Sequence, residues 1–298
     1  MTDETLRLAL PKGSLQDATI DLLAKAGYRF TVGSRSYRAA CDDPTIEAKL
    51  LRAQEIAKYV EQGVFDIGIT GQDWVEENGA DVVRVAQVPY SKATRNPVRW
   101  VIAVAKDSDI KTVQDLRGKR IATEAVNLTR RFLKENGVRA TVEFSWGATE
   151  IKVPELVDAI VEITETGSSL RANNLRILPI TPRRDYVVKS YPVIIANRGS
   201  WKNRWIRAKA KTIAMLMRGA IEAQGKVGLK MNLPEKRLEE VCSQIHGMES
   251  PTVSHLRERG WVALEVILDE SKVREIIPAL REVGAKDIIE YPLNKVIP

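Results

Sequence analysis

Short apolar runs alternate with helix-period segments along this chain, and glycines close many of the joins. LRLAL at 6–10 reads as a first strand, PKGSLQDA turns the chain, and an amphipathic helix follows to Ala26, where Gly27 stops it. Strand-like Glu47–Leu51 precedes a polar–apolar repeat at helical spacing over Arg52–Gln62, ended by Gly63. FDIGIT (Phe65–Thr70) reads as a buried strand closed by Gly71, and the valines of 82–88 as another. Strands and helices that take turns in this way imply a layered α/β fold.

A second unit begins near Val98. Arg99–Val104 is expected as a strand, Val113–Leu116 leads into Gly118, and KRIAT (Lys119–Thr123) is another strand. A helix over Asn127–Asn136 ends at Gly137, Thr141–Phe144 continues as strand, and Leu156–Ile163 is a strand running into a TGSS turn with a short helix from Leu170. Tyr186–Ala196 reads as one returning strand, and the basic segment 181–190, with Pro182, as a linker back to the first unit. Two α/β lobes joined by crossing segments are similar to a periplasmic-binding-protein-like architecture, whose ligands lie in the cleft between the lobes. The expected division is a first lobe over 1–95 plus 190–222 and a second over 96–189.

The remaining residues, 223–298, read as a separate domain. A long helix from Trp201 to about Gly225 leads into strand Lys226–Asn232, helix Pro234–Ile245, strands Pro251–Leu256 and Trp261–Leu268, helix Ser271–Val283 and strand Asp287–Tyr291. The order βαββαβ is the ferredoxin-like split motif, here ACT-like. Small domains of this order often bind an effector or pair with a copy of themselves, an inference by fold analogy.

Composition narrows the chemistry. The 298 residues hold two cysteines, Cys41 and Cys242, far apart and without metal spacing, and two histidines, His246 and His255. Little material exists for a histidine-rich metal site or a histidine-based triad; carboxylates, basic groups, backbone amides and a loosely held Mg²⁺ remain. The net charge of +7 suits a solvated basic surface or small anionic substrates. Nucleic acid is not expected, because no zinc finger, aromatic RNP pattern or dense basic tail is present. No apolar run approaches the roughly 20 residues that cross a bilayer, and MTDETLRLALPKGS has no secretory pattern, so the expectation is a cytoplasmic protein without membrane contact.

The segment DAIVEITETGSSL (Asp158–Leu170) is the richest in chemistry. Asp158 and Glu162 are four apart on an apolar strand, a spacing that puts both carboxylates on one side. The strand runs into Thr166, Gly167, Ser168 and Ser169, where glycine permits a tight turn, amides form a concave anion site and hydroxyls add donors. Carboxylates for sugar hydroxyls beside a phosphate-binding turn suit a ribose 5-phosphate. A surface loop with two solvated acids has the same pattern, and these residues alone do not choose.

This segment resembles the phosphoribosyl-pyrophosphate loop of the long-form ATP phosphoribosyltransferases, which carry out the first step of histidine synthesis. LPKGSLQDAT (Leu10–Thr19), FDIGITGQDWVEE (Phe65–Glu77) and RIATEAVNLTRRFL (Arg120–Leu133) resemble the same family in the same order, and GMESPTVSHL, WVALEVIL and LREVGAKDI resemble its regulatory domain. TGSSLRANNL and DIGITGQDW are the specific stretches; KGSL or RIAT alone is weak.

The resemblance implies that a nitrogen of the ATP adenine displaces pyrophosphate at C1 of 5-phosphoribosyl-1-pyrophosphate. It implies ribose hydroxyls on Asp158 and Glu162, the 5-phosphate on Thr166, Gly167, Ser168 and Ser169, and ATP or pyrophosphate near Lys12, Gly13, Gly71, Asp73 and Glu150. Lys12 and Glu150 are also ordinary surface residues on pattern alone, and Trp74 suits either adenine stacking or helix packing. Mg²⁺ would be held mainly by the substrate pyrophosphate, with no covalent nucleophile. L-histidine would inhibit through the C-terminal domain, with Thr252 and Ala285 in the effector pocket, although both also suit packing. Dimers assembling into hexamers are implied as well. His246 and His255 read as surface or turn residues.

Two departures stand out. Ser14 stands where many relatives have arginine, a role that Arg35 or Arg52 would have to take, and Val126 stands near a usual proline, which unsettles the turn over Thr123–Thr129. Two rivals compete: a two-lobed solute-binding module without catalysis, and a ligand-sensing regulator with an ACT-like domain. TGSSLRANNL and the C-terminal domain count against the first, and the lack of a helix-turn-helix pattern against the second.

Overall fold

Leu6, Leu8 and Leu10 are fully buried on β1 (Leu6–Lys12), and so is Ala9 between them, which marks a strand covered on both faces. The computed structural model describes residues 4–33, 36–90, 96–245, 247 and 251–297. Arg35, His246 and Glu249, to which parts of the sequence reading refer, lie outside them. Two compact units form, Met1–Ala24 with Tyr28–Ala214, and Lys25–Gly27 with Met215–Pro298.

The first unit opens with β1, α1 (Gln16–Ala26), β2 (Phe30–Val32), β3 (Arg38–Cys41), β4 (Ile46–Arg52), α2 (Ala53–Glu61), β5 (Ile67–Gly71), α3 (Gln72–Glu77) and β6 (Val83–Gln87). It continues with β7 (Val98–Ala105), β8 (Arg120–Thr123), α4 (Val126–Glu135), β9 (Thr141–Phe144), β10 (Ala159–Thr164), α5 (Ser168–Ala172), β11 (Leu175–Ile177), β12 (Val188–Ser190), β13 (Pro192–Ala196) and α6 (Arg204–Ala223), which carries the chain into the second unit. The strands make two sheets, one per lobe. The first has the order β2-β3-β4-β1-β5-β13-β6, and the second β11-β7-β10-β8-β9 with β12 also paired to β7. β1 runs parallel to β4 and β5, so their ends deliver loops to one edge.

Helix α2 buries Ile56, Ala57 and Val60 on the first sheet. Gly68 makes this approach possible, because a Cβ there would stand 2.6 Å from Ile56 Cγ2. In the second lobe, apolar residues fill both faces: Trp100, Ile102, Ile121 and Leu128 on one, Val101, Ala103, Ile160 and Leu170 on the other. The two-lobed α/β core is as expected.

Three local expectations are corrected. Tyr186–Ala196 is not one strand. β12 pairs antiparallel with β7 in the second sheet, β13 pairs with β5 and β6 in the first, and Tyr191 is the crossover. Lys189 and Ser190 interrupt the apolar residues, but no glycine or turn dipeptide marks the break, so the segment hides a change of sheet; Pro192 opens β13, a strand position that tolerates its missing N–H. The strand expected from Leu156 starts at Ala159. Short β2, β3 and β11, and α3 after β5, were not foreseen, since three to six residues give little periodic signal.

The second unit contains β14 (Lys226–Pro234), α7 (Leu238–Gln244), β15 (Thr252–His255), β16 (Trp261–Asp269), α8 (Glu270–Glu282) and β17 (Lys286–Pro292). Its sheet order β15-β16-β14-β17 is the ferredoxin-like arrangement expected. Val262, Leu264, Val266 and Leu268 alternate inward on β16 and meet Val241 of α7 and Val273 and Leu280 of α8. Among the described residues, no helix is long and apolar enough to cross a membrane.

Candidate functional site

The ends of β1, β5 and β10 open onto one cleft of about 620 Å³ in the first unit. Lys12, Gly13, Gly71, Asp73, Thr166, Ser168 and Ser169 all line it. The structure therefore gathers residues up to 157 positions apart in sequence, as Lys12 and Ser169 show.

The turn after β10 is tied by its own groups. Gly167 takes φ +73, and its amide donates to the Thr164 hydroxyl at 2.8 Å. The guanidinium of Arg171 donates to the Thr166 carbonyl at 3.0 Å, and a Cβ at Gly167 would stand 3.0 Å from that guanidinium. The Ser169 hydroxyl donates to Glu150, which the sequence left between site and surface.

Glu162 is held just behind this turn. Burial pushes its carboxyl up to about 7, opposed by the Ile163 amide and the Thr149 hydroxyl and reinforced by the negative charges of Glu150 and Glu124. Glu124 lines the cleft and accepts from Gln54 Nε2 at 3.2 Å. One wall of the cleft is thus rich in carboxylate. Glu124 was missed because a lone acid after RIAT carries no signature of its own.

Asp158 is not part of this group, which corrects its pairing with Glu162. Its carboxylate accepts from Lys119 Nζ at 3.2 Å and from the Arg120 amide at 2.8 Å, at the start of β10. The parity argument was sound, but four residues of strand at about 3.3 Å each separate the two acids by about 13 Å, too far for adjacent hydroxyls of one ribose.

The opposite wall carries cations. Lys12 Nζ lies 3.8 Å above the ring of Tyr37. Gly13 takes φ +103, and Arg52 Nη1 lies 3.7 Å from where its Cβ would stand. Arg52 lines the cleft beside Ser14, the position that departs from the family.

Asp73 lines the cleft as expected, and sits deep in its floor. It is 2% exposed, and its carboxylate accepts from Trp100 Nε1 at 2.6 Å and from the Ser190 hydroxyl at 2.7 Å. Burial raises its pKa, and both donors oppose that rise. With each oxygen accepting from a neighbouring side chain, the group is a brace in the cleft floor. Gly71 serves the same brace, since a Cβ there would lie 2.0 Å from Asp73 Oδ1. Trp74 is packed edge-on against Trp100, ring centroids 5.5 Å apart. Glu77, from the same helix, accepts the amides of Asn127 and Leu128 at 2.9 and 2.8 Å and so caps α4, which begins at Val126 without the family's proline.

In the second unit, Thr252 is exposed on edge strand β15, whereas Ala285 is buried just before β17 at the other edge. With β16 and β14 between them, at about 4.8 Å per strand, they stand about 14 Å apart and share no pocket within one chain. The physical reason is that residues close to different edges of a sheet read alike in sequence. His255 is exposed, 3.8 Å from Glu235.

The model of the ATP phosphoribosyltransferase family matches residues 52–219, and that of the HisG C-terminal domain matches residues 223–295. The chain is 57% identical over 296 residues to the ATP phosphoribosyltransferase of Chlorobium phaeovibrioides, covering 99% of each. It is 56% identical over 293 residues to that of Pelotomaculum thermopropionicum, covering 98% of this chain and 99% of the other. Among solved structures, a chain of the ATP phosphoribosyl transferase (HisG:HisZ) complex from Thermotoga maritima matches with a TM-score of 0.58 at 27% identity, over 72% of this chain and 98% of that one.

Proposed function

Since the chain belongs to the ATP phosphoribosyltransferase family and its reaction is the first step of histidine biosynthesis, we propose that ATP and 5-phosphoribosyl-1-pyrophosphate meet in the cleft of the first unit. The observation that carries this is the division of the cleft by charge. Lys12 and Arg52 stand on one wall, and Glu124, Glu150 and Glu162 stand on or behind the other.

The reaction separates charge in the same sense. As an adenine nitrogen bonds to C1 of the ribose and the C1–O bond to pyrophosphate breaks, the sugar gains positive charge and the leaving group gains negative charge. The carboxylate wall suits the first and the cationic wall the second. Glu162 accepts from the ribose hydroxyls, and Thr166, Ser168 and Ser169 with the glycine turn hold the 5-phosphate. Lys12, Gly13 and Arg52 hold pyrophosphate or the ATP phosphates, with Arg52 taking the place of the arginine missing at Ser14. Orientation of the two substrates does the rest; no covalent intermediate is needed.

Use of ATP implies a divalent cation, and Mg²⁺ is the ion that a pyrophosphate carries. The donors fit: Glu124 and Glu150 offer hard carboxylate oxygens at the cleft, and its lining contains neither thiol nor imidazole. Mg²⁺ would be held mainly by the substrate's phosphates and would neutralise part of the leaving charge.

The C-terminal domain is the sensor of L-histidine in this reading, and the enzyme works as a homo-oligomer of dimers up to hexamers. Because Thr252 and Ala285 are apart within one chain, an effector pocket using both would need a second copy.

A coupled assay tests the reading. ATP, phosphoribosyl pyrophosphate, Mg²⁺ and pyrophosphatase are expected to yield phosphoribosyl-ATP, followed by absorbance, and L-histidine is expected to suppress it. Product without suppression removes the sensor. Folded protein that binds either substrate and makes no product removes the proposed cleft chemistry.

A further inference from the structure

We infer that Trp146, the residue before the segment that packs on Glu124 and Ser169 at the cleft, is the platform on which the adenine of ATP stacks; this rests on the reading of the cleft given above. The acceptor is a flat, uncharged purine that must be presented to C1 of the ribose. An aromatic face is the group best suited to hold such a ring. Two of the aromatic side chains that line the cleft are poorly placed for it. Trp74 is sunk against Trp100, and Tyr90 is buried with its hydroxyl 2.6 Å from that of Thr19. Tyr191, half-buried in the crossover beside Ser190, also lines the cleft and is the competing face that the test below separates.

Trp146 is different. It is 91% exposed, more than any other large hydrophobic side chain among the described residues. Its exposure is built in. The Ser145 hydroxyl before it is buried, 3.0 Å from that of Thr149 and 2.8 Å from Lys152 Nζ. Gly147 and Ala148 after it take φ +99 and +46, and a non-glycine residue in the left-handed region is a conformation that the surroundings must hold in place. Phe144 meets the indole edge-on, centroids 4.7 Å apart.

The residues that follow place this indole beside the chemistry. A Cβ at Gly147 would stand 3.7 Å from Glu124, which lines the cleft. Thr149 bonds to Glu162, and Glu150 accepts from Ser169. The segment 147–150 therefore forms the wall against the ribose and 5-phosphate positions, and Trp146 stands one residue before it, with its ring in solvent.

The test is steady-state kinetics of the full-length enzyme with Trp146→Ala and Trp146→Phe. The alanine variant is expected to raise KM for ATP about tenfold, with KM for phosphoribosyl pyrophosphate within about twofold of wild type, and phenylalanine is expected to restore it. ATP is expected to quench the solvent-exposed indole emission of wild type, and Trp146→Phe to lose that quenching while staying active. If wild type makes product but Trp146→Ala keeps its KM for ATP, the platform is wrong and the reading of the cleft stands. If wild type makes no product, that reading itself fails. A variant altered only in oligomeric state by size exclusion, or a rise in KM for ATP in Tyr191→Ala instead, also overturns the platform.

Discussion

The carboxylate of Asp73 accepts the indole N–H of Trp100 at 2.6 Å, joining a helix of the first lobe to a strand of the second. Ser190, on the strand leading into the crossover, supplies the other donor. Asp73→Ala leaves a buried indole N–H and hydroxyl without their acceptor and should lower stability by about 2–4 kcal/mol. Urea denaturation measures it. KM for ATP in the folded variant should stay within about twofold, whereas a large rise with unchanged stability would return Asp73 to the substrate.

Glu162 gives the enzyme a pH signature. Its carboxyl is raised from 4.5 to about 7 by burial, so the folded state disfavours its charge. Its contribution therefore favours folding below about pH 4.5 and is lost as pH rises through about 7. Glu162→Gln should raise the melting temperature by a few degrees at about pH 8 and leave it nearly unchanged at about pH 5. KM for phosphoribosyl pyrophosphate in wild type should fall from about pH 6 to 8, as the ionised acceptor forms, and the variant should be flat. A flat wild-type profile removes Glu162 from ribose binding.

Gly167 holds the turn at a positive φ, with Arg171 close to where a side chain would begin. Gly167→Ala should strain the turn and raise KM for phosphoribosyl pyrophosphate about tenfold, with KM for ATP much less affected. Equal effects on both substrates would argue against a 5-phosphate site there.

Asp158 lies just before β10, at the opposite end of that strand from the Thr166–Ser169 turn. Asp158→Asn should leave both KM values within about twofold and cost less than about 1 kcal/mol in stability, since its ion pair with Lys119 is partly exposed. A selective loss of phosphoribosyl pyrophosphate use would reinstate it.

The contrast between Asp158 and Glu162 shows what a sequence reveals about such a site. Parity along a strand says which face a side chain takes, and says nothing of which end of the strand meets the cleft. The turn from Thr166 to Ser169 was legible because glycine and hydroxyls cluster there, and the alternation of β16 because its apolar positions repeat every second residue. Asp73 was legible as a cleft residue and no further, because a buried brace and a ligand carboxylate look the same beside a strand end. Tyr191 was invisible as a crossover because VKSYPVIIA holds no glycine and no loop between its two strands, so one residue changes sheets without a turn signal.

The place of β13 has a consequence for the newborn chain. This strand lies between β5 and β6, yet it is made more than a hundred residues after both of them, once the strands of the second lobe have been synthesised. Until then β5 presents an open, apolar edge, and β6 has no neighbour in its sheet. A nascent or truncated chain ending before Pro192 is therefore the species most prone to pair with others of its kind, and chaperone capture during synthesis should peak in that interval.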